Sequence, residues 1–161
     1  MARLGMGENQ MNTILLVSAA LAQAPAAPAP DHQIIYSDNP RARQMQDRIG
    51  WADSVTAGDT VYVSGVVAFT LPTDKGLEDA YTRAFDRLTK VLQRAGVSWS
   101  DVVEVRSFHT DPNGQIDAMA TVKRRYRAAP DPAWTAVGTS GLLGSSGITE
   151  IALIARKPST K

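Results

Sequence analysis

The pattern of apolar and polar positions after residue 34 predicts five strands and two helices. Strands are predicted over 50–55, 60–69, 102–110, 133–138 and 149–155, where β-branched and apolar runs are bounded by turn-forming residues. Apolar residues at three- and four-residue steps predict a helix over 77–95, ended by Gly96, and a second helix over about 115–127. This order predicts an α+β fold, with one mixed sheet and two helices on one of its faces.

The strand predicted over 60–69 is apolar on both sides, so both faces of the sheet are expected to be covered there. The two helices cover one face, and nothing else in the chain covers the other, which predicts self-association. Ser64-Gly65 lies in the middle of this strand. Glycine weakens a strand unless something approaches the backbone closely, so a close neighbour or tight packing under a helix is expected at this point.

Length and composition are those of an ordinary globular domain. The chain has 161 residues, of which 43% are hydrophobic and 20% are charged, enough for one domain with a substantial core. The formal net charge is +1, and the basic run at 123–125 is expected on the solvated face of the second helix. Nucleic-acid binding needs a broader basic surface, so no nucleic-acid partner is expected.

Several kinds of site are excluded or disfavoured by residue type. The chain has no cysteine, which excludes disulfides, thiolate catalysis and cysteine metal sites. His32 and His109 lie far apart without ligand spacing, so no metal site is expected. The Gly/Ser-rich segment 139–147 lacks the lysine and helix opening of a phosphate-binding loop. It is interpreted as a connecting loop, and no cofactor is expected.

The N-terminal segment has the composition of a targeting sequence. An apolar run at 14–22 is followed by an Ala/Pro stretch, which indicates a signal peptide and a periplasmic or secreted protein. A disordered tail on a cytoplasmic protein is the alternative. In either case residues 1–31 are expected outside the fold, and residues 32–161 are expected to form a single domain. The run is too short to span a bilayer, so no stable membrane association is expected after its removal.

Local motifs between residues 37 and 157 resemble those of the Rid family, the YjgF-type reactive intermediate deaminases. The matching segments are Ile49-Gly50-Trp51, Val63-Ser64-Gly65, Ala95-Gly96 before Asp101-Val102-Val103, Pro132-Ala133 and Glu150-Ile151. The resemblance implies a chorismate-mutase-like (YjgF-like) fold and a homotrimer with three clefts between subunits. By the same resemblance, the residues that line each cleft are Trp51, Ser64, Gly65, Trp134, Ala136 and Glu150.

The family resemblance also implies roles for these residues. In members that hydrolyse enamines and imines, an arginine at the position of Trp134 binds the substrate carboxylate, and the glutamate matching Glu150 positions water. Glu150 is therefore the candidate catalytic residue, and the other five are candidate substrate-binding residues. Indole has one N–H donor and no charge, so Trp134 favours an uncharged or aromatic ligand over a 2-imino acid. Arg106 is a candidate for a compensating cation.

These observations lead to three functional interpretations. The first is a RidA-like protein that binds a small metabolite in an inter-subunit cleft and hydrolyses an enamine- or imine-like bond. The second is a non-catalytic trimer that binds a ligand or acts like a chaperone. The third is an endoribonuclease, an activity associated with some family members, which the near-zero net charge and the lack of a basic groove disfavour.

Overall fold

A computed structural model of the chain, which describes residues 32–126 and 130–158, has six strands and three helices in an α+β arrangement. The strands are β1 (His32–Ile35), β2 (Ser54–Ala57), β3 (Thr60–Phe69), β4 (Val102–His109), β5 (Ala133–Gly138) and β6 (Gly147–Arg156). The helices are α1 (Pro40–Ile49), α2 (Leu77–Arg94) and α3 (Pro112–Tyr126). The expected signal peptide or tail lies outside the described residues, and the division into tail and single domain stays a prediction.

The strands form one mixed sheet in the order β1-β2-β3-β6-β4-β5. Neighbouring strands are antiparallel except β4 and β5, which are parallel. A parallel pair needs a crossover connection, and α3 lies in the chain between these two strands. The prediction of an α+β fold built on a mixed sheet is therefore confirmed.

The core lies between the sheet and the two long helices. Tyr81, Phe85 and Leu88 on α2 are fully buried, which confirms the apolar stripe predicted for this helix. They pack in one cluster with strand residues that include Ile151 and Leu153 of β6. Burying one such side chain contributes about 1.5–3 kcal/mol to the stability of the fold, so this cluster holds α2 on one face of the sheet.

The opposite face of the sheet remains open in a single subunit. Tyr62 is 50% exposed, Phe108 is 38% exposed and Val137 is 42% exposed, and their strand partners place them on the face away from the core. This is the uncovered apolar face that the sequence predicts. Among the described residues, no helix has the length and apolar character needed to cross a membrane.

Both predicted helices are present, and α1 is a third helix that the sequence pattern did not predict. Its N-terminus is capped by the side chain of Asn39, which accepts from the backbone of Arg41 and Ala42, and Pro40 follows the cap. Its buried residue is the polar Gln46. α1 is short and mostly polar, and its large apolar residues Met45 and Ile49 are exposed, so it lacks the long buried stripe by which the other two helices were predicted. The short edge strand β1 was also missed.

Two element boundaries differ from their predictions. The strand predicted over 50–55 is β2, which begins at Ser54, because α1 continues to Ile49 and Gly50 ends it with φ 86°. Trp51 therefore lies in the connection between α1 and β2. The second long helix begins at Pro112, three residues before its predicted start, because Asp111 accepts from the backbone N–H of Gly114 and caps the helix.

Candidate functional site

The middle of β3 has one edge without a partner strand. β2 pairs with β3 only from Thr60 to Val63, whereas β6 pairs with it along its whole length, with an irregularity between Val63 and Val66. Ser64 N–H still donates to the backbone oxygen of Asp53 at 3.0 Å, so within the described chain the backbone has a neighbouring strand on one side only from Gly65 onward. A bulge beside a free edge is a common way to build a binding site at a sheet.

Glu150 of β6 lies against this irregularity. A Cβ atom built on Gly65 would lie 1.9 Å from Oε1 of Glu150 and 2.6 Å from its Cδ. No side chain fits at position 65 while Glu150 keeps this rotamer. The close neighbour expected at Gly65 is thus the carboxylate of Glu150.

Glu150 and the free edge of β3 border a cavity of about 450 Å³. Its walls bring together four of the six predicted site residues: Trp51, Ser64, Gly65 and Glu150. No sequence motif indicated the remaining lining residues, which are Ile49, Val67, Phe69, Arg87 and Leu143. The carboxylate of Glu150 accepts no hydrogen bond from the residues that the structure describes, so it is available to a ligand or water.

A buried polar contact holds the Trp51 wall of the cavity. Gln46 is 1% exposed; its Oε1 accepts from the backbone N–H of Ser37 at 2.9 Å, and its Nε2 donates to Oδ1 of Asp53 at 2.7 Å. Arg94 of α2 donates to the other oxygen of Asp53 at 2.5 Å. These bonds join the segment around Trp51 to both α1 and α2, so its position is set by the fold.

Trp134 and Ala136 lie elsewhere in the subunit. Trp134 is paired with Val105 and Ala136 with Ser107, and both partners are buried on the helix-covered face of the sheet. Glu150 lies on the opposite face, two strands away in the order β6-β4-β5. One subunit therefore does not bring Trp134 and Ala136 to the cavity of Glu150.

The indole of Trp134 has its own partners. Its Nε1 donates to Oγ of Ser107 at 2.9 Å, and Nζ of Lys123 lies 4.8 Å from the ring centroid. Lys123 is only 8% exposed, so this cation–π contact replaces the solvated position expected for it. One face of the ring is thereby covered by a residue of the same chain.

Ser107 connects Trp134 to a buried polar network. His109 is fully buried, with Nε2 2.9 Å from Oγ of Ser107 and Nδ1 3.1 Å from Oγ1 of Thr149. Tyr81 places its hydroxyl 2.7 Å from the same Thr149 oxygen. Burial lowers the pKa of His109, and a hydrogen bond to the side chain of Gln115 opposes this only in part. The network lies on the helix side, away from Glu150, and we assign it a structural role.

The suggested compensating cation, Arg106, is already engaged. Its Nε and one terminal nitrogen donate to the two oxygens of Glu104 at 2.7 and 3.0 Å. This pairing holds the pKa of Glu104 below its usual range. Nor does the described part of the chain contain a group of three His, Asp or Glu side chains that could hold a metal ion.

The arrangement suits chemistry by one carboxylate and water. Glu150 can accept a proton or hold a water molecule at the cavity, and the unpaired edge of β3 offers backbone groups to orient a small ligand. Trp51 and Phe69 add apolar walls. Such a mixture of apolar surface and few polar groups is typical of a small-molecule site.

Comparisons with known proteins match this fold and these motifs. The family model for Endoribonuclease L-PSP matches residues 42–157. The RutC family protein YjgH of Escherichia coli is 37% identical over 111 residues, which cover 67% of this chain and 83% of that protein. A 2-iminobutanoate/2-iminopropanoate deaminase of Dermatophagoides farinae is 29% identical over 96 residues, 57% of this chain and 74% of that protein.

Solved structures agree with the same assignment. The structure of protein YjgH has a TM-score of 0.66 and 31% identity, and the match covers 80% of this chain and 98% of that one. Rv2704 of Mycobacterium tuberculosis, a YjgF family member, has the same fold with a TM-score of 0.66 at 20% identity, covering 78% and 98% of the two chains. With most of the described domain matched by the family model and by YjgH, the chain belongs to the YjgF/RidA family.

Proposed function

We propose that this protein is a homotrimer that hydrolyses an imine-like C=N bond in a cleft containing Glu150. The observation that carries the proposal is the carboxylate of Glu150, which lies over Gly65 in a cavity at the free edge of β3. One relative bears the name of an imine deaminase, which is consistent with this chemistry.

The proposed reaction uses one water molecule. Glu150 accepts a proton from water while the water oxygen bonds to the C=N carbon, and the imine nitrogen takes up a proton. The resulting carbinolamine expels ammonia, its hydroxyl proton is lost, and a carbonyl compound is left. The balance is one imine and one water giving one carbonyl compound and one ammonia, with Glu150 returned to its starting state.

Two features support a cleft made by two subunits. Trp134 and Ala136 lie on edge strand β5, away from the Glu150 cavity of their own subunit. The open sheet face carries exposed Tyr62 and Phe108, which a neighbouring subunit would bury. In the proposed trimer, β5 of one subunit completes the cavity of the next.

The test is imine hydrolysis by the purified full chain, with small and aromatic 2-imino acids generated in place by an amino-acid oxidase. Glu150→Gln should reduce turnover by at least about 10²-fold, since it removes the proton acceptor and keeps the side-chain shape. Asp117→Asn, an exposed change on α3, is the matched control. Wild-type turnover that survives Glu150→Gln would contradict the proposed role.

A non-catalytic binding protein is the second candidate. It is favoured by Trp134, which lacks the charge of the family arginine and is already bonded to Ser107. In that case the wild type should show no imine turnover, while small ligands still raise its melting temperature. Trp134→Arg would then test whether the hydrolytic function can be restored.

A further inference from the structure

Within the described part of the chain, Arg87 is an unpaired cation at the Glu150 cavity. It lies on α2 and lines the cavity together with Ser64, Gly65 and Glu150. Its guanidinium makes no hydrogen bond or ion pair with any described residue, Glu150 included. A guanidinium with free donors matches the two oxygens of a carboxylate and adds charge to each hydrogen bond.

The neighbouring arginines are engaged by their own partners. Arg83 donates to both oxygens of Asp74 at 2.7 Å and to the backbone oxygen of Phe69 at 2.7 Å. Arg94 is held by Asp53. Among the described residues that line the Glu150 cavity, Arg87 is therefore the cation with hydrogen-bond donors left for a ligand.

The short β2 strand makes this placement possible. Glu150 lies on the open face of the sheet, while α2 packs on the other face against the core. Because β2 ends its pairing at Val63, the edge of β3 beyond that point is open, and Arg87 reaches the cavity past this edge. Arg87 and Glu150 both line this cavity, so a ligand there has a positive group and a carboxylate within the same site.

We propose that Arg87 determines the specificity of this site by binding an anionic group, a carboxylate in the first instance, of the ligand whose reacting carbon faces Glu150. The role given to Glu150 in this inference rests on the proposed function. The binding of an anion by Arg87 does not depend on it. The inference departs from the expectation of an uncharged ligand, which was based only on the residue at position 134. Trp134 carries no positive charge, and in this proposal Arg87 of α2 provides one.

The test compares acids with their uncharged esters as ligands of the full chain. The probes are 2-oxobutanoate and phenylpyruvate, which are stable 2-oxo acids of the product type, and the methyl ester of each. Affinities are measured by NMR titration for wild type, Arg87→Gln, Arg87→Lys and Lys90→Gln. Lys90 lies one turn further along α2, does not line this cavity, and controls for general surface charge.

We expect Arg87→Gln to weaken binding of the preferred acid at least tenfold and to change binding of its ester by less than twofold. Arg87→Lys should lie between wild type and Arg87→Gln, because lysine keeps the charge and loses the planar fork. Lys90→Gln should behave as wild type. The proposal is overturned if neither acid binds the wild type more tightly than its ester. It is also overturned if Arg87→Gln weakens acid and ester equally, or if Lys90→Gln reproduces the loss.

Failure of this inference and failure of the proposed function give different results. Acid binding that depends on Arg87, without imine turnover in the wild type, would refute hydrolysis and leave the anion site standing. The opposite result is turnover that depends on Glu150 but is unchanged by Arg87→Gln, for both acid and ester imines. That result would refute the role of Arg87 and leave the proposed hydrolysis standing.

Discussion

A side chain at Gly65 would collide with the carboxylate of Glu150, since the Cβ position lies 1.9 Å from Oε1. The two residues lie on neighbouring strands, β3 and β6, at the irregularity in their pairing. The absence of a side chain on β3 is what allows the carboxylate to lie at the free edge of that strand. Position 65 therefore controls where Glu150 can act.

We expect Gly65→Ala to reduce imine hydrolysis by about 10²-fold, because the carboxylate must rotate away from the cavity. The free energy of unfolding should change by no more than about 1 kcal/mol, because the colliding atoms belong to a flexible side chain. Gly65 is also not among the glycines with positive φ, so alanine can adopt its backbone conformation. Steady-state kinetics and urea unfolding measure the two effects.

The double variant Gly65→Ala/Glu150→Ala tests whether the effect passes through Glu150. If it does, the double variant is no less active than Glu150→Ala alone, because residues that act as one unit are not additive. If the fold-losses of activity from the two single substitutions multiply in the double variant, then Gly65 does not act through Glu150.

The environment of Trp134 predicts a stability cost for Trp134→Arg. Trp134→Arg places a second cation beside Lys123, whose Nζ now lies 4.8 Å from the ring centroid, and should destabilise the protein by about 1–3 kcal/mol. Trp134→Phe keeps an aromatic ring but loses the N–H bond to Ser107 and some of the packing of the larger indole, so it should cost at least about 1 kcal/mol. Thermal and urea unfolding provide the comparison.

A double-mutant cycle with Lys123→Gln isolates the electrostatic part of this cost. Trp134→Arg should be less destabilising in the Lys123→Gln background than in the wild type. An equal cost in both backgrounds would mean that the loss comes from packing and hydrogen bonding, with no contribution from charge repulsion.

The buried His109 predicts a pH dependence of stability. Burial lowers its pKa in the folded state, so below about pH 6.5, the usual value for histidine, the unfolded chain takes up a proton that the folded chain does not. The free energy of unfolding should therefore fall as the pH decreases from about 6.5 towards the folded pKa. Above about pH 6.5 the contribution of His109 to stability should be constant. Urea unfolding at a series of pH values measures the slope.

His109→Gln is the matched variant, because it keeps polar atoms near Ser107 and Thr149 without the titration. Its stability should lose the part of the pH dependence below about pH 6.5 that comes from His109. An NMR titration of the His109 imidazole in the wild type gives a direct check. A folded pKa at or above about 6.5 would contradict the assignment.

The open sheet face predicts the effect of charge on assembly. Phe108 and Tyr62 are exposed in one subunit and would be buried in the proposed trimer, so Phe108→Arg or Tyr62→Arg should convert trimers to monomers. Light scattering with size-exclusion chromatography measures the mass. Asp117→Arg on α3 is the control and should leave the mass unchanged. A wild type that is monomeric at assay concentration would rule out the proposed cleft.

Much of the fold is determined by local sequence. The helix over α2 follows from apolar residues at helical spacing, and its end follows from Gly96, which has φ 74°. The strands that cross the core follow from runs of β-branched residues. Helix α1 does not follow, because it is held by the cap of Asn39 and by hydrogen bonds of the buried Gln46, and neither leaves a hydrophobic period.

The sequence by itself determined the residue types of the site and, through short motifs, the family to which the chain belongs. It placed a glycine in β3, where either a close neighbour or tight packing under a helix was expected, and the family resemblance indicated Trp51, Ser64 and Glu150 as further site residues. Only the tertiary structure decided that Glu150 is that neighbour, because the contact depends on the register of β3 against β6. Registers and strand lengths arise from pairings distant in sequence.

The same reason explains why Trp134 and Arg87 could not be placed from sequence. Trp134 faces the helices because β5 pairs in parallel with β4 in one register, and a shift of one residue would turn it to the other face. Arg87 lies on the exposed flank of an amphipathic helix, where an arginine is ordinarily solvated. It borders the cavity because β2 stops pairing at Val63, which is a property of the assembled sheet and not of the residues around position 87.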